Sequence, residues 1–88
     1  MQNVEKSHMQ YRYTVIIEPA EEGGYCVFVP ALNGLATQGE TLEEARAMAR
    51  DAIIGHIESL AAHGDPIPVE YVDDYTEPRA EVMEISVG

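Results

Sequence analysis

Eighty-eight residues with sixteen acids against five lysines and arginines, for a formal net charge of -11, describe one small acidic domain with room for only a thin core. That charge disfavours direct contact with a phosphate backbone, which depends on basic side chains and released counterions. No stretch approaches the roughly twenty apolar residues of a membrane span, and the opening MQNVEKSHMQ lacks the apolar centre of a signal peptide, so a cytoplasmic protein is expected.

Residues 1–9 are polar and precede the first periodic segment, so they read as a flexible N-terminal tail ahead of a single domain over residues 10–88. From Tyr11 to Glu18, YRYTVIIE alternates Tyr13, Val15 and Ile17 against Arg12, Thr14 and Ile16, which predicts a strand ended by Pro19. PAEEGG is turn material, and Tyr25–Val29 is a second β-branched and aromatic run, giving a hairpin. Pro30 has no amide hydrogen to continue the ladder, Asn33-Gly34 predicts a tight turn, and a short third strand is expected over Leu35–Gln38.

Gly39 breaks the extended run, and Thr41-Leu42-Glu43-Glu44 then has capping-box spacing: the Thr41 hydroxyl should accept from the Glu44 amide, and the Glu44 carboxylate should return to the Thr41 amide. Leu42, Ala45, Ala49, Ala52, Ile53, His56, Ile57 and Leu60 recur at threes and fours, so a helix over residues 42–62 should lay this stripe on the sheet, with Gly64 as its left-handed stop. Residues 65–80 contain three prolines and predict an extended connection, and alternation in VMEISV predicts a closing strand over Val82–Val87. The order β-β-β-α-β is that of a two-layer α+β domain.

Candidate chemistry is sparse. The carboxylates fall mainly at turns and on the solvent face of the helix, where they serve solvation. His56 reads as a core-side histidine, His63 as a helix C-terminal residue favoured by the dipole when protonated, and His8 as part of the tail. Cys26 sits mid-strand as a small hydrophobe, with no cluster at zinc spacing around it. The glycines are scattered turn residues, unlike a phosphate cradle. Tyr11, Tyr13, Tyr25, Tyr71 and Tyr75 lack the basic neighbours of a base-stacking sheet and read as packing residues. No catalytic, metal-binding or cofactor-binding set is therefore expected.

The stretch GGYCVFVPALNGLATQGETLEEARAMARDAI resembles the HicB family of small antitoxins in the order and spacing of its signature. The matching positions include Gly24, Tyr25, Val29, Pro30, Leu32, Gly34, Thr37, Gly39, Thr41, Glu44, Ala45, Ala49, Ala52 and Ile53, within a region of similarity over residues 11–69. The chain departs from the family pattern at Ala31-Leu32-Asn33-Gly34-Leu35, where relatives often carry Asp-Leu-Pro-Gly-Cys, and at Arg46, where a leucine is frequent. The resemblance implies a partial RNase H-like fold and a partner, a HicA-like basic mRNA-cleaving toxin of double-stranded-RNA-binding fold, which the domain blocks. It leaves the toxin-contacting residues unassigned.

Relatives often add a C-terminal DNA-binding segment; this sequence ends at Gly88 directly after the last expected strand, so promoter binding is not expected of it. Two other readings stand beside neutralisation of a toxin. One is an orphan oligomeric binding module with a different partner. The other is a residual nuclease, for which Glu18 and Glu84 are the obvious strand carboxylates. A homo-oligomer, dimer or tetramer, is expected because a three- or four-stranded sheet leaves open edges, with Ile54 as a candidate contact.

Overall fold

The computed structural model describes residues 9–70 and 79–87 of the chain. Alternation in the first strand, β1 (Met9–Pro19), sends Tyr13, Val15 and Ile17 to one side, where all three are buried. It begins at Met9, one residue inside the segment assigned to the tail and two before the expected start, because its register with the last strand continues to a Met9–Val87 pair. The remainder of the tail, with Lys6 and His8, lies outside the described residues. A turn with Gly23 and Gly24 at positive φ leads into β2 (Tyr25–Val29), which pairs antiparallel with β1 from Ile16–Phe28 to Pro19–Tyr25.

Pro30 opens a single 3-10 turn, Pro30–Leu32, whose Leu32 is fully buried, and Asn33 and Gly34 then take left-handed conformations at φ 62° and 73°. That reversal starts β3 (Leu35–Gly39), antiparallel to β2. One helix follows, α1 (Leu42–Ala62), and the chain returns in β4 (Ala80–Val87) on the far side of β1. The sheet is ordered β3-β2-β1-β4, so the helix carries the chain from one edge strand to the other. The result is the expected two-layer α+β arrangement.

Ala45, Ala49, Ile53 and Ile57 form one buried line at intervals of four along α1 and pack on Tyr13, Val15, Val27, Val29, Leu32, Met83 and Ile85. The stripe is narrower than the sequence predicts. Leu42 is 40% exposed, and Ala52, His56 and Leu60 are only half-buried, because the sheet contacts one line of the cylinder and leaves its flanks to solvent. Asp65 and Gly64 donate to the Leu60 and Ala61 carbonyls at 2.9 and 3.1 Å, closing the helix in a Schellman motif with Gly64 at φ 73°. Of the 65–80 connection, residues 65–70 run without regular structure, and Tyr71 and Tyr75 lie outside the described residues.

Two glycines govern how closely the layers meet. A Cβ on Gly39 would fall on the backbone nitrogen of Ala45 and 2.7 Å from its Cα, and one on Gly24 would fall 2.7 Å from the Gly39 carbonyl oxygen. Backbone cannot move aside as a flexible side chain can. Gly39→Ala should therefore cost about 2–3 kcal/mol through overpacking, whereas Gly64→Ala, which meets open space and only an unfavourable φ, should cost about 1 kcal/mol. Urea titration of the two variants checks the order, and equal losses would refute the tight junction.

Candidate interaction surface

The residues singled out by the sequence signature do not converge on a cleft. They build the junction between the sheet and the start of α1. Tyr25 starts β2 and pairs with Pro19 and Gly39; Pro30 and Leu32 make the 3-10 turn; Gly34 supplies positive φ; Gly39, Thr41, Glu44 and Ala45 form the passage from β3 into the helix. The Thr41 hydroxyl accepts from the Glu44 amide at 3.0 Å, as the capping box requires. The returning bond is different: Glu44 Oε1 accepts from the Glu40 amide at 2.5 Å, where Thr41 was expected. The chain bends at Glu40 and Thr41, and the carboxylate closes a ring one residue longer.

Groups considered for chemistry stay apart. Glu18 and Glu84 share the sheet face away from the helix, but Glu84 pairs with Arg12 in register, six residues along β1 from Glu18. That is about 20 Å of strand. Cys26 is a half-buried free thiol, His56 is half-buried on the helix, and His63 Nδ1 lies 2.7 Å from the Ser59 carbonyl oxygen. Among the described residues no group of three or more His, Cys, Asp or Glu side chains could hold a metal, and no helix is long and apolar enough to cross a membrane.

The clearest perturbation of a buried side chain is structural. Tyr13 is fully buried and donates its hydroxyl to the Pro68 carbonyl at 2.6 Å, and Glu70 Oε1 accepts the Thr14 amide at 2.8 Å, so residues 66–70 are tied to β1 where β2 no longer covers it. Burial first, then the neighbouring Tyr11 and Glu70, hold the Tyr13 hydroxyl above its ordinary range. Glu70 Oε2 and Thr14 Oγ1 are buried without partners among the described residues.

Charge is distributed unevenly over the two sheet edges. Of the four described arginines three reach β4: Arg12 lies 3.8 Å from Glu84, Arg46 forms a fork with Glu81 at 2.8 and 3.0 Å, and Arg50 donates to the Glu84 carbonyl at 3.0 Å. Around β3 no cation appears among the described residues. There, instead, lies a groove of about 520 Å³ with Glu22, Tyr25, Gln38, Glu40, Glu44 and Met48 in its walls. On the open face of the sheet, Cys26, Phe28, Ala36 and Gln38 line a shallow depression of about 410 Å³, in which Phe28 is 42% exposed. Sequence reasoning found the acids but not this segregation, since nothing in a linear reading says which flank of α1 faces which strand.

Comparison with known proteins follows the same lines as the fold. Residues 13–83 match a family described as the HicB_like antitoxin of bacterial toxin-antitoxin systems. The UPF0150 protein Ta0767 of Thermoplasma acidophilum is 46% identical over 65 residues, covering 74% of this chain and 94% of its own. Antitoxin HicB 1 of Photorhabdus laumondii is 44% identical over 68 residues, covering 70% of this chain but only 44% of that longer protein. Among solved structures, the N-terminal domain of Burkholderia pseudomallei antitoxin HicB superposes with a TM-score of 0.70 at 26% identity, covering 88% of this chain and 98% of that one. Against the longer Burkholderia antitoxin the TM-score is 0.67 and 62% of that chain is covered.

Two predictions arise from the junction and the arginines. Thr41→Ala should lower stability by about 1 kcal/mol through loss of the cap, read as a lower melting temperature, and an unchanged melt would refute the cap. The hydrogen bond from Arg46, with its charge, holds the Glu81 carboxyl below the usual range. A depressed folded-state pKa adds stability above the unfolded value of about 4.3, and that stability is lost as pH falls through the folded value. The pair is substantially exposed, so Glu81→Gln should flatten the acid limb by less than about 1 kcal/mol, with the two proteins converging at the lowest pH.

Proposed function

Because the chain belongs to the HicB-like antitoxin family of bacterial toxin-antitoxin systems, we propose that it binds a HicA-like, basic, mRNA-cleaving toxin and blocks it by masking the toxin's RNA-binding surface, without catalysis of its own. The observation that carries this reading is the match of nearly the whole chain to the isolated N-terminal domain of an antitoxin HicB, the portion that this chain shares with the longer antitoxins. Charge supports it. A formal net charge of -11 opposes RNA or DNA binding and favours encounter with a protein that itself binds RNA through cations. The arginines that could offset the acids are drawn to β4, and among the described residues the β3 side carries Glu22, Glu40 and Glu44 without a cation.

A homo-oligomer is part of the same proposal, since the core of so small a domain is thin and the helix keeps apolar surface outside it, away from the sheet edges. Ile54 is half-buried against the core and keeps part of its side chain at the surface, where it can meet a second copy.

The decisive experiment begins by seeking a small basic HicA-like protein encoded beside this chain's gene and then tests the pair. Co-expression should restore growth to toxin-producing cells, and the purified proteins should form a complex whose mass by light scattering exceeds that of an already dimeric or tetrameric antitoxin. Association should slow as salt rises, with release little changed, because steering acts on encounter. In gel shifts at low salt the isolated protein should bind neither duplex DNA nor RNA. Growth arrest that persists despite soluble antitoxin, with no complex formed, would overturn the reading; saturable sub-micromolar binding of nucleic acid would overturn the masking mechanism.

A further inference from the structure

The alternation of backbone direction along the sheet separates paired from free groups. The Ile17 amide donates to the Arg79 carbonyl, so odd-numbered residues of β1 turn their amides and carbonyls toward β4, and even-numbered ones turn theirs toward β2. Carrying this through the observed register, Phe28 and Cys26 face β1, and Val27 and Val29 face β3. In β3 the groups of Leu35, Thr37 and Gly39 are therefore spent on β2, while those of Ala36 and Gln38 point outward. By the same count Val82, Glu84 and Ser86 point outward from β4.

The two edges are treated differently. On β4, Arg50 donates to the outward Glu84 carbonyl, which lays a cation on the edge, and Arg46 pairs with the Glu81 side chain on the helix side of the same strand. Charged side chains laid along an edge strand are a common protection against further pairing. On β3 the sequence Leu35–Gly39 is LATQG, without charge, proline or bulge, and no described side chain or strand covers its outer amides. Acids stand at its Gly39 end, and the apolar depression of Phe28 and Ala36 adjoins it on the open face.

We propose that the outer edge of β3 is the contact surface for the toxin, and that an extended, basic segment of the toxin adds to the sheet there as a fifth strand. This assignment rests on the antitoxin reading above. Ala36 and Gln38 supply the main-chain hydrogen bonds, alternate side chains of the incoming strand fill the space over Phe28 and Ala36, and its cations meet Glu22, Glu40 and Glu44. The occupant is the toxin rather than a second copy because a second copy would set the same edge, with no cation around it among the described residues, against Glu22, Glu40 and Glu44. β4, guarded by its arginines, stays outside the contact.

Proline substitution tests the edge with little cost to the fold, since the Ala36 and Val82 amides make no bond within the sheet. Ala36→Pro should weaken toxin binding in calorimetric titration about tenfold or more, the scale of one lost main-chain hydrogen bond with its neighbouring contacts. Val82→Pro should change affinity less than about twofold. Melting curves establish that each variant is folded. Hydrogen exchange on the unaltered protein gives a second readout independent of any variant: toxin should slow exchange of the Ala36 and Gln38 amides about tenfold or more and leave Val82 and Glu84 unchanged. Tight toxin binding with unprotected Ala36 and Gln38 amides, or with affinity lost in Val82→Pro, would overturn the edge assignment while leaving the antitoxin reading intact. Loss of self-association in Ala36→Pro with full toxin affinity would assign the edge to a second copy instead. No binding of toxin by the unaltered protein would defeat both.

Discussion

The approach of the Gly39 backbone to Ala45 sets the geometry on which the other features depend. With no side chain at Gly39, the last residue of β3 lies directly on the first turn of α1, and Gly24 lets the start of β2 close in from the other side. Three chain segments thus meet within backbone contact distance. The requirement for small residues continues into the helix, where Ala45 and Ala49 permit close approach near this pin and Ile53 and Ile57 fill the layer further along. Thr41 and Glu44 then saturate amides at a helix start that could not be shifted to accommodate other caps. What reads as a family signature in the sequence is therefore a statement about interlayer distance.

The charges obey a separate logic. A surface ion pair contributes little to stability, so the concentration of three arginines at β4 matters more for what it does to the field and the edge than for what it adds to folding. Each cation placed there is one not available to offset the acids of the β1–β2 turn and of the helix start. An acidic side and a guarded side result from the same few residues. At about 8–10 Å of screening length under ordinary salt, that separation persists as a local feature of each edge rather than averaging over the molecule.

Much of the fold was legible because its signals are local. Pro19, Pro30, Asn33-Gly34, Gly39 and Gly64 mark the ends of elements, and the periods of two and of three to four assign the runs between them. The helix bounds agree with Leu42–Ala62 and β2 with Tyr25–Val29, while pairing carries β1 on to Met9 and Pro19, β3 to Gly39 and β4 back to Ala80, beyond the hydrophobic pattern. What was not legible depends on residues distant in sequence. No periodicity says that β4 pairs with β1 rather than β3, that Tyr13 bonds to Pro68, or that Glu44 reaches Glu40. The exposure of Leu42 and the half-exposure of Ala52 and Leu60 belong to the same class, because the width of a buried stripe is set by the surface it meets. For the interaction surface the limit was stricter. Ala36 and Gln38 have unremarkable side chains, and their interest lies in backbone direction, which exists only once the register is known.

Rigidity connects the junction to the edge. A strand that receives another strand binds best if it is already extended and fixed, because the ordering cost then falls on one partner only. β3 is only five residues long, and a short edge strand ordinarily frays. Here it is held at both ends: the left-handed Asn33 and Gly34 set its beginning, and the contact of Gly39 with Ala45 fixes its end against the helix. Thr37 and Leu35 anchor its middle by pairing with β2 and by turning half-buried side chains toward the helix layer. The same tight passage that makes the domain recognisable as a member of its family thus keeps Ala36 and Gln38 presented outward in register. The edge proposed for the toxin is in this way prepared by geometry, since the residues that fix β3 in place lie outside Ala36 and Gln38 themselves.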